Sequence, residues 1–245
     1  MLEMLKQYLV QALYLLPGIV VALTFHEFAH AFVSTKLGDP LPRATGRLSL
    51  NPAKHIDPLG FVMLFLVRFG WAKPVVVDSR YYKHKKLGMS LVALAGPVAN
   101  LIMAFLFTAC SMLVAVRYNT LWAAGTTGKG MTALLVIYQL LTIAVSLNIG
   151  LAVFNLIPIS PLDGSKLLAA FLPMRAYNKV LQYERYGFLI LLLLLLDVPG
   201  RLLGICGVPS SITQYVDLSY YLNYARAFLM NLFQDIWTPV FELFL

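Results

Sequence analysis

Long apolar runs dominate the chain, and its polar positions gather between them. A membrane crossing needs about 20 mostly apolar residues, and runs of that kind occur at about Tyr8–Val33, Leu87–Val116 and Met131–Ile157. A fourth begins at Gly187–Leu196, is cut by Asp197, Pro199 and Gly200, and resumes toward Cys206. Leu59–Phe69 is apolar but too short to cross and contains Arg68, which predicts a re-entrant or interfacial segment. Lys36–Asp57 is polar and rich in proline and glycine, and the loose alternation of Arg43–Leu50 within it predicts a short hairpin. Lys166–Arg185 is mixed and basic, as expected of an interfacial helix. The aromatic, amphipathic tail Leu218–Leu245 reads as a segment lying on the membrane or dipping into it. The expected architecture is an all-α multi-span membrane protein. One domain covers 1–245, with a three-helix core at about 8–165 that carries a re-entrant or β-hairpin loop, and a C-terminal span and tail at 186–245.

Composition removes the soluble alternatives. Hydrophobic residues make up 60% of the chain and charged ones 12%, against about 25% charged in soluble domains. The mean hydropathy is +0.76. Cys110 and Cys206, the only cysteines, both lie in apolar runs, so neither a disulfide framework nor a cysteine-rich zinc ribbon is available. Lys and Arg number 19 against 11 Asp and Glu, a net charge of +8. That excess reflects topology rather than nucleic-acid binding. Basic residues crowd between the first and second spans and between the third and fourth, which predicts that both regions are cytoplasmic and the N-terminus is outside. No removable signal peptide is expected, because Gln7–Val33 is too long for one. This topology puts the C-terminal ends of the first and third spans at the same depth.

Ionisable residues inside a span are costly and are functional-site hypotheses by default. The first span carries His26-Glu27-Phe28-Ala29-His30, an H-E-x-x-H sequence. Histidines four apart on a helix point from one face, so both imidazoles can bind one Zn²⁺ while the glutamate reaches water beside it. The competing reading is a polar helix face bonded to neighbouring helices. Catalytic zinc takes three protein ligands and one open position, so a further His, Asp or Glu is required. Asp163 follows the third span in Asn155-Leu-Ile-Pro-Ile-Ser-Pro-Leu-Asp-Gly164, where two prolines break the helix. Irregular backbone at membrane depth is tolerated only where it is buried or lines a wet cavity. Asp163 reads either as the third ligand or as an N-cap of the next helix. Asp197 is a weaker competitor on the far side, and His55 is an outside candidate for an extra ligand or a gating role.

These two motifs, in this order, resemble the site-2 protease family of intramembrane zinc metalloproteases. Leu50-Asn-Pro-Ala-Lys-His-Ile-Asp-Pro-Leu-Gly60, Gly70-Trp-Ala-Lys-Pro74 and Ala95-Gly-Pro-Val-Ala-Asn100 are similar to its compact prokaryotic members without PDZ or CBS domains. Ser160 departs from them, standing where many relatives carry a further proline. The resemblance implies one zinc ion per chain on His26, His30 and Asp163, with Glu27 as general base activating the zinc-bound water. It implies that Asn155 steadies the tetrahedral intermediate, a role that competes with simple hydrogen bonding at a helix end. Gly96 and Asn100 read as helix-packing residues. A strand-like element near Arg47–Asn51 is expected to pair with the unwound substrate by β-augmentation.

The expected activity is hydrolysis of peptide bonds in or near transmembrane segments of membrane proteins, toward the cytoplasmic side of the cell membrane. The expected partners are those substrates and the lipid bilayer, with no nucleic acid. The alternative is a zinc-binding membrane protein without protease activity, a transporter or a scaffold. A transporter calls for broken helices in two matching halves, and only the third span ends in such a break.

Overall fold

In the computed structural model, residues 2–67 and 70–243 are described. Arg68 and Phe69, the end of the expected short segment, and Phe244 and Leu245 of the tail lie outside them. The described chain is helical. α1 (Leu2–Lys36) is followed by a single turn, α2 (Leu41–Ala44), and by α3 (Pro58–Val67). Next come α4 (Lys85–Ala123) and α5 (Lys129–Asn155), then α6 (Asp163–Phe171) and α7 (Met174–Leu195). α8 (Val198–Ile205), the short α9 (Ser210–Thr213) and α10 (Leu218–Glu242) complete it. Among the described residues α1, α4 and α5 are long and apolar enough to cross a membrane, and α7 with α8 is a fourth candidate bent by 56°. The bend falls at Asp197, as the proline and glycine beside it predict.

α1, α4 and α5 pack on one another and make the core. Lipid tails are as apolar as leucine, so helices in a membrane associate through close packing and interhelical hydrogen bonds. The buried side chains follow that rule: Ala22, Ala31, Ala93, Ala104, Ala144 and Ala152 alternate with Asn100, Asn148, Ser111 and Thr108, while leucines such as Leu13, Leu106 and Leu113 face outward. α10 packs its C-terminal half onto this core. Phe233 meets Phe105 edge to face, and the Trp237 indole N–H donates to the Phe105 carbonyl at 3.1 Å.

Two expectations are corrected. The hairpin over Arg43–Leu50 is not formed, and no named strand occurs among the described residues. Pro40 and Pro42 favour a helical turn at this point, and the Arg47 and Leu48 amides fold back onto the Pro42 carbonyl. The one bridge here is Ile56 with Ala72. Nor is there a boundary between an interfacial helix ending at Arg185 and a span starting at Gly187. α7 runs through both, and the break lies at Pro173, which has no amide proton to continue α6.

Between α3 and α4 the chain is extended and forms a strap. The Lys73 amide donates to the His55 carbonyl, and the Arg47 guanidinium donates to the carbonyls of Lys54 and Lys73. At the other end the Asp78 amide donates to Asp39 Oδ2 at 2.8 Å. Asp39 is fully buried and also accepts from Ser34 Oγ at the end of α1 and from the Leu41 amide. The strap is thus tied at both ends to the loop that follows α1.

Candidate active site

His26 and His30 sit one turn apart on α1 and face a stripe on α4 made by Val92, Gly96 and Asn100, themselves spaced by four. His26 Nδ1 is 2.7 Å from Asn100 Oδ1. The Asn100 amide nitrogen donates to the Ala22 carbonyl and to Asn148 Oδ1, so its oxygen is the end left to accept. His26 Nδ1 therefore carries a proton. His30 Nδ1 is 2.6 Å from the Val92 carbonyl, which can only accept, so that nitrogen carries one too. Both rings are held in the tautomer that leaves Nε2 bare. Gly96 makes this approach possible: a Cβ there would lie 2.5 Å from His26 Cε1 and 2.6 Å from His30 Nε2.

The two Nε2 atoms lie 3.0 Å apart, and Asp163 Oδ2 is 3.2 Å from one and 3.1 Å from the other. Among the described residues this is the only group of three or more His, Cys, Asp or Glu side chains whose ligand atoms lie within 4.8 Å of one another. Three electron-rich atoms converging in a buried place repel unless a cation lies among them. A tetrahedral zinc ion with bonds of about 2.0–2.1 Å separates its ligands by about 3.3–3.4 Å, close to the triangle observed. The donor set thus fits zinc.

α5 ends at Asn155, the chain turns through Leu156–Leu162, and Asp163 is the first residue of α6. It does not cap that helix, whose cap position is Leu162 with no side-chain bond. Its carboxylate turns to the imidazoles instead. Burial alone would favour the neutral Asp163 carboxyl, whereas a cation held between it and the two bare Nε2 atoms would favour the carboxylate. The N-terminus of α6 favours the negative charge as well. Gly164 is pressed against the carbonyls of Leu156 and Ile157, where a Cβ would collide.

Glu27 and Asn155 join the three residues around a cavity of about 180 Å³, which Pro74, Val75 and Lys166 also line. Glu27 is buried and outside the ligand triangle; its Oε2 accepts from the Val75 amide of the strap at 3.1 Å. Asn155 donates one amide proton back to the Leu151 carbonyl. Lys166 Nζ lies 3.8 Å from Asp163 Oδ1. Asp197 and His55 are not part of this cluster. Asp197 marks the α7–α8 break, and His55, fully buried, bonds the Ser49 carbonyl through Nε2.

Three contributors escaped the sequence reading. Asn100 was visible only as a packing residue, Asn148 was one polar residue in an apolar run, and the strap amide of Val75 leaves no sequence signal.

The model of peptidase family M50 matches residues 14–196, most of the chain, with His26, Glu27, His30, Asn155 and Asp163 inside the match. The chain belongs to peptidase family M50. It is a metalloprotease embedded in membrane, as the resemblance to site-2 proteases implied. YwhC of Bacillus subtilis (strain 168) is 36% identical over 227 residues, 93% of this chain and 94% of that protein. Rip2 of Mycobacterium tuberculosis (strain H37Rv) is 31% identical over 186 residues, 73% of this chain and 65% of its own length. Both are named "Putative zinc metalloprotease". No solved structure matches this M50 chain.

Proposed function

We propose that this M50 protein is a zinc-dependent endopeptidase that hydrolyses peptide bonds in or near the transmembrane segments of other membrane proteins, with His26, His30 and Asp163 as the metal ligands and Glu27 as general base. The observation that carries the reading is the triangle of two bare Nε2 atoms and one carboxylate oxygen beside a carboxylate that is not a ligand. Zinc, when bound, supplies Lewis acidity that polarises a carbonyl and lowers the pKa of water to about 7. Glu27 takes a proton from the attacking water and passes it to the leaving amine. Its reach is set by the Val75 amide, which holds one carboxylate oxygen and leaves the other to act. Asn155, on the rim of the same cavity, has a second amide proton for the developing oxyanion.

A helical substrate hides its peptide bonds and has to unwind. The extended strap takes over the pairing role expected of Arg47–Asn51, because it borders the cavity and that segment is not a strand. The basic loops after α1 and α5 belong in the cytoplasm, with the N-terminus of α1 outside.

The test is bound metal and cleavage of a model transmembrane substrate by purified wild type and Glu27→Gln. Glu27→Gln should keep its zinc and lose about 10²–10⁴-fold in kcat. Equal cleavage by both would end the proposal.

A further inference from the structure

A larger cavity, of about 610 Å³, lies beside the catalytic one between α1, α5 and α10. Its walls continue those of the site. Leu23 is one turn before Glu27 on α1, Leu151 one turn before Asn155 on α5, and Trp71 belongs to the start of the strap. Along α1 the cavity reaches from about 6 Å to about 12 Å from the level of Glu27, at 1.5 Å per residue. Most of its lining is apolar, as a cavity for a membrane segment should be.

The wall contributed by α10 is the exception. Ser219, Asn223 and Arg226 line the cavity, with Leu222 the one apolar member of the same helical stripe. The aromatic residues Tyr220, Tyr221, Tyr224 and Phe228 of the same helix point away from it and are exposed. This half of α10 is therefore amphipathic in the inverted sense, with its polar stripe turned inward. Arg226 is half-buried, and among the described residues it has no ion pair and no hydrogen bond. The nearby Asp217 is occupied in capping α10 through the Ser219 amide. An arginine beside an apolar cavity, without a carboxylate partner among the described residues, calls for an anionic partner from outside.

We propose that this cavity binds the part of the substrate's membrane segment that flanks the scissile bond, and that Arg226, with Asn223, selects substrates bearing a carboxylate side chain there. The proposal rests on the protease reading above. The occupant is a peptide because α1 and α5 line both cavities with adjoining turns, so a chain threaded past Glu27 runs on along them into this one. A site built to bond a carboxylate rejects the analogue lacking it far more strongly than an apolar pocket rejects an extra methylene. The distance from Glu27 places the acidic residue about two to four residues from the cleaved bond if the substrate is extended, and about four to eight if it is helical.

The test uses the full chain in phosphatidylcholine nanodiscs. Single-span substrates that differ only in Asp, Asn, Leu or Lys, placed at successive positions within about eight residues of the cleaved bond, are assayed with wild type, Arg226→Gln and Arg226→Glu. Wild type should prefer Asp to Asn by about tenfold or more in kcat/KM within one narrow window of positions. Arg226→Gln should erase that ratio, and Arg226→Glu should transfer the preference to Lys, a gain that misfolding cannot produce. A ratio that is the same in all three proteins would overturn the proposal. So would unchanged ratios accompanied by an Arg226-dependent response of every substrate to added phosphatidylglycerol, since a lipid headgroup would then be the occupant. The leucine series reports on the protease reading separately. Its cleavage by wild type and not by Glu27→Gln upholds that reading, and cleavage without any charge preference sinks only the present inference.

Discussion

Asn100 on α4 and His26 on α1 are joined by a 2.7 Å hydrogen bond that settles which imidazole nitrogen faces His30 and Asp163. The bond has a fixed direction because Asn148 and the Ala22 carbonyl use up the other end of the Asn100 amide. A packing contact between three helices is therefore also the device that presents a bare Nε2 to Asp163.

Asn100→Leu should remove that direction without touching the ion. Loss of a hydrogen bond behind a metal-binding histidine costs about 10–100-fold in metal affinity or activity. Competition with a chelator of known affinity measures the first and substrate cleavage the second. A variant with wild-type zinc affinity and wild-type turnover would show that His26 needs no such support.

Gly96→Ala places a methyl group where the two imidazoles already are. The expected result is a sharp loss of bound metal in purified protein. Gly130→Ala, at the exposed start of α5 with nothing within 4 Å of the new Cβ, is the control and should bind zinc normally. Equal metal content in both would show that α4 can move away from α1 at little cost.

Val75→Pro deletes the amide that donates to Glu27 Oε2 and leaves the rest of the extended strap compatible with proline. Glu27 then loses its orientation while His26, His30 and Asp163 are untouched. Zinc content should hold and kcat should fall by about tenfold or more, as expected when a hydrogen bond to a charged group is lost. Metal loss in this variant would mean that the strap supports the ligands rather than the base.

Asp39→Ala strips acceptors from Ser34, the Leu41 amide and the Asp78 amide at once. Leaving the two part-buried amides unpaired costs up to about 1–3 kcal/mol each, while Ser34 keeps Tyr82 as a partner. Hydrogen exchange should therefore rise at Asp78 and along the strap, with α4 and α5 unchanged. Unaltered protection at Asp78 would place the anchor elsewhere.

Much of the candidate site could be read before any coordinates, for a physical reason. His26, Glu27 and His30 are local in sequence and follow from helical spacing; the demand for a third ligand left Asp163 one candidate beside a proline-broken helix end, and the family resemblance chose it. The three spans were legible because apolar length in a membrane is nearly decisive. What could not be read depends on contacts between distant segments. The direction of the Asn100 amide is set by Ala22 and Asn148 on two other helices. Pro74 and Val75–Val77 favour extended backbone in the strap, but its course past Glu27 is set by the bonds of its ends to Asp39, Arg47 and His55. The misplaced hairpin has the same origin: alternation in Arg43–Leu50 suggested pairing, but no partner strand lies alongside, and the prolines turned the chain first.

The strap's double anchorage has a consequence for how such a protein could acquire new clients. One side of the catalytic cleft is bound into the same network that sets up the chemistry, so change there disturbs the reaction itself. The larger cavity beside it is walled by α10, a helix held mainly by its far end, through Phe233 and Trp237. Novel recognition can accumulate on that helix while the hydrolytic apparatus stays as it is.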